Sequence, residues 1–380
     1  MISFKTRLSV KDWIALLLIA VTVFLDSTTA YSRIHLRPLS YALFFVALAA
    51  GVYSLWGKRG RDLALRLGLV LIGAASYGFS GHCHLFLLLS AACLLSGEQQ
   101  DLYLKTAFAV RIAVVLTVIL HAFLFLGGGE VVAVMKSGRY VYMGITLGFH
   151  HPNQLALAVS SLLILYLCIR QRPMTPRVFL AALSIALAGL ICTGSRSMLL
   201  CIGFFFLGVF LFRKRRIPLW FCFGFFLLIT LIGVVIPAAF PDLPQPFRWL
   251  DQWCSNRANL SSGVFRAYPL TLFGLNLQAP LRLEDMVVDN GYVQLLFSYG
   301  IVGFAAWLAM NLCLMYRLLK AGQKLAVLAL LTFATWGLME DILILSSINF
   351  PIILWCLCFT NSAKPNTTKM ICLQHDLASP

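Results

Sequence analysis

Apolar runs long enough to cross a membrane recur along the whole 380-residue chain, and they constrain its fold more than any other feature. A helix crosses the roughly 30 Å hydrocarbon core with about 20 apolar residues, and backbone polar groups in lipid need partners within the protein. The runs are continuous, as between residues 199 and 212, whereas strands of a membrane barrel alternate apolar and polar residues. Because 60% of the residues are hydrophobic and 12% are charged, the chain lacks the charged surface of a soluble domain. The sequence therefore predicts an all-α, polytopic membrane helical bundle.

The apolar runs predict about twelve transmembrane helices in a single transmembrane domain over residues 1–363. The predicted spans are residues 13–31, 39–56, 62–80, 83–96, 104–127, 153–169, 177–195, 197–212, 217–240, 290–316, 325–345 and 348–362. The fourth is short enough to be re-entrant. The first lacks a small-residue cleavage pattern and is interpreted as a retained span. Residues 364–380 are predicted to form a short polar tail in the cytoplasm.

The positions of the basic residues predict the orientation of these helices. Clusters of Lys and Arg follow the second, sixth, eighth and tenth spans, at residues 58–61, 170–177, 213–216 and 317–324. Cytoplasmic loops carry such an excess, so both termini are predicted in the cytoplasm, with residues 127–152 and 241–289 as external loops. The formal net charge of +16 is then mostly a topology signal and predicts no nucleic-acid partner. The predicted location is the cytoplasmic membrane.

A few arginines depart from this charge pattern. The predicted external loop 241–289 carries Arg248, Arg257, Arg266 and Arg282, and Arg196 lies in the short polar stretch between the seventh and eighth spans. The arginine fork matches the geometry of phosphate oxygens, so external arginines beside a membrane indicate a lipid-linked phosphate. The alternative for Arg196 is that its side chain reaches a lipid headgroup.

Histidine and amide side chains cluster at the start of the sixth span. Proline at position 152 suits the first turn of a helix, and the neighbouring His150, His151 and Asn153 offer hydrogen-bonding groups at the membrane surface. These three residues are candidates for substrate binding. The alternative is an ordinary capped helix start.

Carboxylates near predicted span ends form a further candidate group. Asp289 precedes the tenth span, where it could act as a general base or as a helix cap. Glu340 and Asp341 fall in the eleventh predicted span, and Asp26 falls in the first. Intramembrane carboxylates usually face the bundle interior and have partners. The predicted topology places these groups toward the outer side, where the external arginines could pair with them.

The eleven cysteines are scattered, and most lie in apolar runs. No pair has metal-ligand spacing with further ligands nearby. The sequence therefore predicts no metal, no cofactor and no disulfide framework.

Several short motifs over residues 140–350 together resemble the O-antigen ligase/polymerase (Wzy-type) superfamily. The motifs are Gly148-Phe149-His150-His151-Pro152-Asn153, Thr193-Gly194-Ser195-Arg196-Ser197, Gly263-Val264-Phe265-Arg266, Leu272-Phe273-Gly274, Asp289-Asn290-Gly291-Tyr292, Gly300-Ile301-Val302-Gly303 and Gly337-Leu338-Met339-Glu340. Each motif is short, so the resemblance rests on their order, on the topology and on the large outer loop.

The resemblance implies that the chain joins undecaprenyl-diphosphate-linked oligosaccharide repeat units into a surface polysaccharide outside the cytoplasmic membrane. An acceptor hydroxyl would attack the anomeric carbon with inversion and without a metal, and it would expel the lipid diphosphate. Arg196 and Arg266 would stabilise the diphosphate, and Asp289 would be the base, with His150 or His151 as the alternative. The expected substrate-binding residues are His150, His151, Asn153, Arg257, Asn290, Tyr292 and Glu340. A chain-length regulator and a flippase are the expected protein partners.

Two alternatives stay open at the level of sequence. The ligase branch of the superfamily is expected to carry a histidine just before the Asn-x-Tyr element, and Asp289 stands there instead, which favours a polymerase. A flippase or other transporter commonly shows two related halves, whereas here only the second half has an oversized outer loop.

Overall fold

The computed structural model describes residues 10–29, 37–125, 131–136, 139–170, 175–213, 215–240, 244–246, 248, 251, 257–277 and 288–359. The helices in chain order are α1 (Val10–Thr29), α2 (Arg37–Leu55), α3 (Gly60–Ser80), α4 (His84–Leu94), α5 (Gln100–Phe125), α6 (Pro152–Arg170), α7 (Pro176–Thr193), α8 (Arg196–Leu211), α9 (Leu219–Ala238), α10 (Arg257–Ala267), α11 (Gly291–Lys320) and α12 (Lys324–Trp336). A 3₁₀ turn, Gly97–Gln99, precedes α5, and a 3₁₀ helix, Phe350–Phe359, ends the described chain. The predicted tail 364–380 lies outside the described residues.

Six helices in the described residues are long and apolar enough to cross a membrane. They cover residues 60–80, 97–124, 152–170, 176–193, 219–238 and 291–320, and six further apolar helices are 10–17 residues long. The predicted helical class is therefore confirmed, and the long apolar helices indicate a multi-pass membrane protein.

Within the described residues, one antiparallel hairpin interrupts the helical fold. Strand β1 (Val131–Lys136) pairs with β2 (Arg139–Ile145) inside the segment that the sequence predicted as a loop, 127–152. The two stretches are rich in valine and tyrosine, which favour strands. The sequence did not predict the hairpin, because this segment lies between two long apolar helical stretches and was predicted as a loop that joins them.

Two predicted spans are shorter in the structure. The predicted span 83–96 corresponds to α4, whose 11 residues rise only about 17 Å. The predicted span 325–345 is helical only in α12, which ends at Trp336 with Gly337 as the C-cap. Glu340 and Asp341 therefore lie in a segment of turns after a helix, and the prediction that they lie within the helix is wrong.

Helix α11 lies at the centre of the bundle and packs against α3, α9, α12 and the C-terminal 3₁₀ helix. Trp307 on α11, Trp336 and Trp355 are among the largest fully buried side chains. The indole N–H of Trp307 donates to the carbonyl oxygen of Leu343 at 3.4 Å, and the side-chain amide of Asn349 donates to the same oxygen at 2.8 Å. These bonds hold the turns after α12 against the core.

A break in α11 is occupied by an earlier part of the chain. Gly300 has φ 73° and ψ 178°, which no helix contains. The N–H groups of Ile301 and Val302 donate to carbonyl oxygens in the segment 271–277, at 3.0 Å each. A Cβ atom at Gly300 or at Gly274 (φ 98°) would collide with the opposing backbone. Glycine is therefore required where these two backbones meet.

Candidate functional site

Polar side chains meet where several helices begin or end at one end of the bundle. The N–H of Gly291, the first residue of α11, donates to the carbonyl oxygen of Gly337 at 2.8 Å, which joins the start of α11 to the end of α12. The starts of α6, α8 and α10 lie beside this junction, because a side chain from each of them contacts Glu340. We call Asn153, Ser197, Arg257, Asp289 and Glu340 the polar cluster.

The turn between α7 and α8 positions Ser197. Gly194 ends α7 in the left-handed conformation with φ 60°. The hydroxyl of Ser195 caps α8 by accepting from the N–H of Met198 at 3.3 Å. The turn thus explains the small and hydroxyl residues in this stretch. The hydroxyl of Ser197, in the first turn of α8, lies 3.1 Å from the hydroxyl of Ser195 and also reaches Glu340.

Glu340 is the acceptor that links the members of the polar cluster. Its Oε1 accepts from Nη2 of Arg257 at 3.1 Å, from Nδ2 of Asn153 at 3.3 Å and from the hydroxyl of Ser197 at 3.3 Å. Its side chain is 14% exposed. Burial raises the pKa of Glu340 to about 7, while the charge of Arg257 and the hydrogen bonds from Arg257 and Ser197 favour the carboxylate form.

Arg257 joins Glu340 to Asp289. The same Nη2 atom lies 3.7 Å from Oδ2 of Asp289. Nη1 of Arg257 is buried and makes no hydrogen bond with any residue that the structure describes. The Asp289 side chain is 36% exposed, against 14% for Arg257. Asp289 is therefore the more open of the two carboxylates and Arg257 the shared cation.

The start of α10 is held by Asp251, a residue that the sequence did not single out. Its two carboxylate oxygens accept from the N–H groups of Ala258 at 2.8 Å and Asn259 at 3.1 Å. Asp251 is 6% exposed. A carboxylate at a helix start satisfies free N–H groups and opposes the helix dipole. Asp251 thereby fixes the helix end that carries Arg257.

The two arginines that the sequence predicted to be catalytic, Arg196 and Arg266, are both exposed. Arg196 is the first residue of α8 and is the immediate neighbour of Ser197. Arg266 follows Arg257 by nine residues on α10, which places it on the opposite helix face, about 13 Å further along the axis. It donates to the hydroxyl of Ser262 at 3.2 Å. Arg196 therefore borders the polar cluster, whereas Arg266 faces away from it.

The two histidines before α6 have the contacts of a helix start. The N–H of His150 donates to the side chain of Gln154 at 3.2 Å, and Nδ1 of His151 accepts from the N–H of Asn153 at 3.1 Å. His150 is exposed. These contacts match the capping alternative, and the side chain of Asn153 reaches Glu340.

Asn290 and Tyr292, predicted to bind substrate, use their polar atoms to hold α11 in place. Oδ1 of Asn290 accepts from the N–H groups of Tyr292 at 2.9 Å and Val293 at 3.3 Å, and its Nδ2 donates to the carbonyl oxygen of Gly233 at 3.0 Å. The hydroxyl of Tyr292 donates to the carbonyl oxygen of Ala334 at 2.8 Å. Asn290 is the N-cap of α11, so the cap position is not available to Asp289.

The chemistry of the polar cluster follows from its charges. Two carboxylates share one guanidinium, and a serine hydroxyl and an amide complete the set. Carboxylates bind hydroxyl groups and can take a proton, and Arg196 at the edge offers a cation to an anionic group. Among the described residues, no three His, Cys, Asp or Glu side chains are arranged to hold a metal ion.

No protein-family model, no curated protein and no solved structure matches this chain. The superfamily suggested by the motifs therefore stays a prediction.

Proposed function

We propose that the chain is a polysaccharide polymerase that joins undecaprenyl-diphosphate-linked repeat units. The observation that carries the proposal is the polar cluster itself. Asn153, Ser197, Arg257, Asp289 and Glu340 come from five distant segments, and each belongs to, or directly follows, a stretch singled out in the sequence. An arrangement of two carboxylates and an arginine at helix ends suits transfer of a glycosyl group from a diphosphate.

The proposed reaction is a displacement at the anomeric carbon of the donor glycan. A hydroxyl oxygen of the acceptor forms the new C–O bond while the bond from the anomeric carbon to the diphosphate oxygen breaks, with inversion. Asp289 takes the hydroxyl proton, and the undecaprenyl diphosphate leaves with its negative charge stabilised by Arg196. Arg257 holds Asp289 and Glu340 in position. Arg266 projects from the opposite face of α10, so it could contact the diphosphate only at a point outside the polar cluster.

The carboxylate before α11 supports a polymerase over a ligase. The motifs resemble a superfamily whose ligase branch is expected to have a histidine at the position of Asp289.

In cells that make the polysaccharide, loss of this chain should leave the glycan as single repeats. Loss of a ligase would instead leave full-length polymer on the lipid carrier. Gel analysis of the carrier-linked glycan separates the two outcomes, and accumulated long polymer would refute the polymerase assignment.

We further propose twelve spans with both termini in the cytoplasm of the producing cell, so that the polar cluster faces outward. The positive-inside distribution of Lys and Arg supports this orientation. In a variant whose Cys192, Cys254 and Cys372 are replaced by serine, a membrane-impermeant maleimide should label Ala267→Cys on α10 in intact cells. Ala321→Cys, exposed between α11 and α12, should be labelled only after permeabilisation. The reverse pattern would invert the topology and place the polar cluster inside.

A chain-length regulator and a flippase are the proposed partners.

A further inference from the structure

Two cysteines meet where the C-terminal 3₁₀ helix packs against α11. The thiol of Cys358, in the 3₁₀ helix, donates to the carbonyl oxygen of Met310 on α11 at 3.6 Å. Cys313 lies one turn after Met310 on α11, and its thiol and that of Cys358 are joined by a hydrogen bond. Both are free and partly exposed, whereas most of the other described cysteines are buried. The structure thus brings together two accessible thiols that the proposed reaction does not use.

Contacts on both sides of Cys358 hold it against α11. Trp355, one turn earlier in the 3₁₀ helix, donates its indole N–H to Oδ1 of Asn311 at 3.3 Å. Phe359, the next residue, lies beneath the guanidinium of Arg66 on α3, which is 4.7 Å from the centre of the ring. The backbone that carries Cys358 is therefore fixed at two points beside the helix that carries the other thiol.

Arg317 places a positive charge beside this pair. It lies one turn after Cys313 on α11, and its guanidinium hydrogen-bonds to the Cys313 sulfur. Exchange between a thiol and a disulfide proceeds through a thiolate, which a neighbouring cation stabilises. Cys313 is therefore placed to attack first, and Cys358 is placed to attack second.

We propose that Cys313 and Cys358 form a reversible disulfide that joins the C-terminal 3₁₀ helix to α11. The sulfur of Cys313 attacks one sulfur of a small-molecule disulfide, which forms a mixed disulfide and releases one thiol. The sulfur of Cys358 then attacks the Cys313 sulfur, closes the new S–S bond and releases the second thiol. The two protein thiols give two electrons and two protons to the small molecule. This chemistry does not depend on the proposed polymerase function.

The position of the pair suits a link that forms in response to oxidation. The last turn of α11 carries Arg317 and Lys320, and the proposed topology places this end of the helix in the cytoplasm. Thiols are ordinarily kept reduced there, and the disulfides that form are usually transient or redox-sensing. The chain between the two cysteines contains α12 and Glu340. Closing the link therefore restrains the segment that contributes Glu340 to the polar cluster.

The test uses the purified full-length protein in detergent and dithiodipyridine, an uncharged aromatic disulfide. After treatment, the remaining thiols are blocked with N-ethylmaleimide, and the protein is digested and analysed by mass spectrometry without reduction. The wild type should give peptides joined through Cys313 and Cys358, and dithiothreitol should restore both thiols. Cys358→Ser should instead keep a pyridyl adduct on Cys313. Cys192→Ser, the matched control at an exposed cysteine of α7, should form the link as the wild type does.

The melting temperature shows whether the link restrains the fold. The linked wild type should melt at a higher temperature than the reduced protein, because a cross-link restricts the unfolded chain, and treated Cys358→Ser should show no such rise. Pyridyl adducts on both cysteines of the folded wild type, or two unmodified thiols, would overturn the disulfide. Linked peptides without a higher melting temperature would overturn the restraint. The link is read in the wild type, so the conclusion does not depend on whether the variants fold.

Discussion

Replacing Arg257 by alanine is expected to lower the rate of chain extension by a factor of roughly 10²–10³ or more. Arg257 is the only cation that bonds both Glu340 and Asp289 in the described part of the chain. Its loss takes the shared cation away from two neighbouring carboxylates. Removing one partner of a buried ion pair costs about 3–5 kcal/mol, and solvent around the partly exposed Asp289 reduces this cost. Lysine at this position should restore only part of the rate, because a point charge cannot replace the planar fork. The measurement is polymer length on gels at matched membrane abundance.

The comparison with Arg266 decides between the assignment from sequence and the assignment from geometry. Both arginines lie on α10, but they project from opposite faces, and only Arg257 bonds Glu340. Arg266→Ala should therefore have a clearly smaller effect than Arg257→Ala. Asn259→Ala, at an exposed position of the same helix, serves as the neutral control. Normal-length polymer from the Arg257→Ala protein, at equal abundance, would remove Arg257 from the site.

Asp289→Asn is expected to reduce turnover by about 10²–10⁴ while the protein stays folded, because an amide cannot take the acceptor's proton. The sequence left open whether Asp289 is a base or a helix cap. The structure assigns the cap to Asn290, whose side chain accepts from two N–H groups of α11. The carboxylate of Asp289 is partly exposed and lies beside Arg257. Its replacement should therefore affect chemistry more than stability.

The neighbouring residue supplies the matched control for this prediction. Asn290→Ala removes the cap and should lower the free energy of unfolding by about 0.5–2 kcal/mol. Thermal unfolding in detergent and polymer length together separate the two variants. A shift in melting temperature without loss of turnover for Asp289→Asn would mean that Asp289 is structural, and the base would then be sought elsewhere in the polar cluster.

The parts of the fold that follow from hydropathy could be predicted, and the breaks in helices could not. Continuous apolar runs predicted the long helices because lipid forces the backbone to bond with itself. Gly300 and Gly274 belong to two of the short motifs, but glycine is common in membrane helices, so the motifs did not predict that the segment 271–277 bonds to α11 there. The end of α12 at Trp336 was missed for a related reason, since the apolar pattern continues through residues that form turns.

The sequence named most members of the polar cluster as candidates, but it did not predict how they are arranged. Charge that departs from the topology pattern drew attention to Arg257, and the motif order to Asn153, Asp289 and Glu340. The choice between Arg257 and Arg266 depends on the faces of α10 from which they project, and the sequence predicted this segment as a loop and not as a helix. Asp251 holds that helix across residues 252–256, and no local pattern predicts such a contact.

The most direct test of the central claim is polymerisation by the purified protein. In detergent, with EDTA and without any nucleotide sugar, it should convert undecaprenyl-diphosphate-linked repeats into a ladder of longer chains. Each new glycosidic bond should release one undecaprenyl diphosphate, because the donor is already activated by its diphosphate. Repeats that remain single under these conditions with folded protein, or growth that requires a nucleotide sugar, would contradict the proposed function.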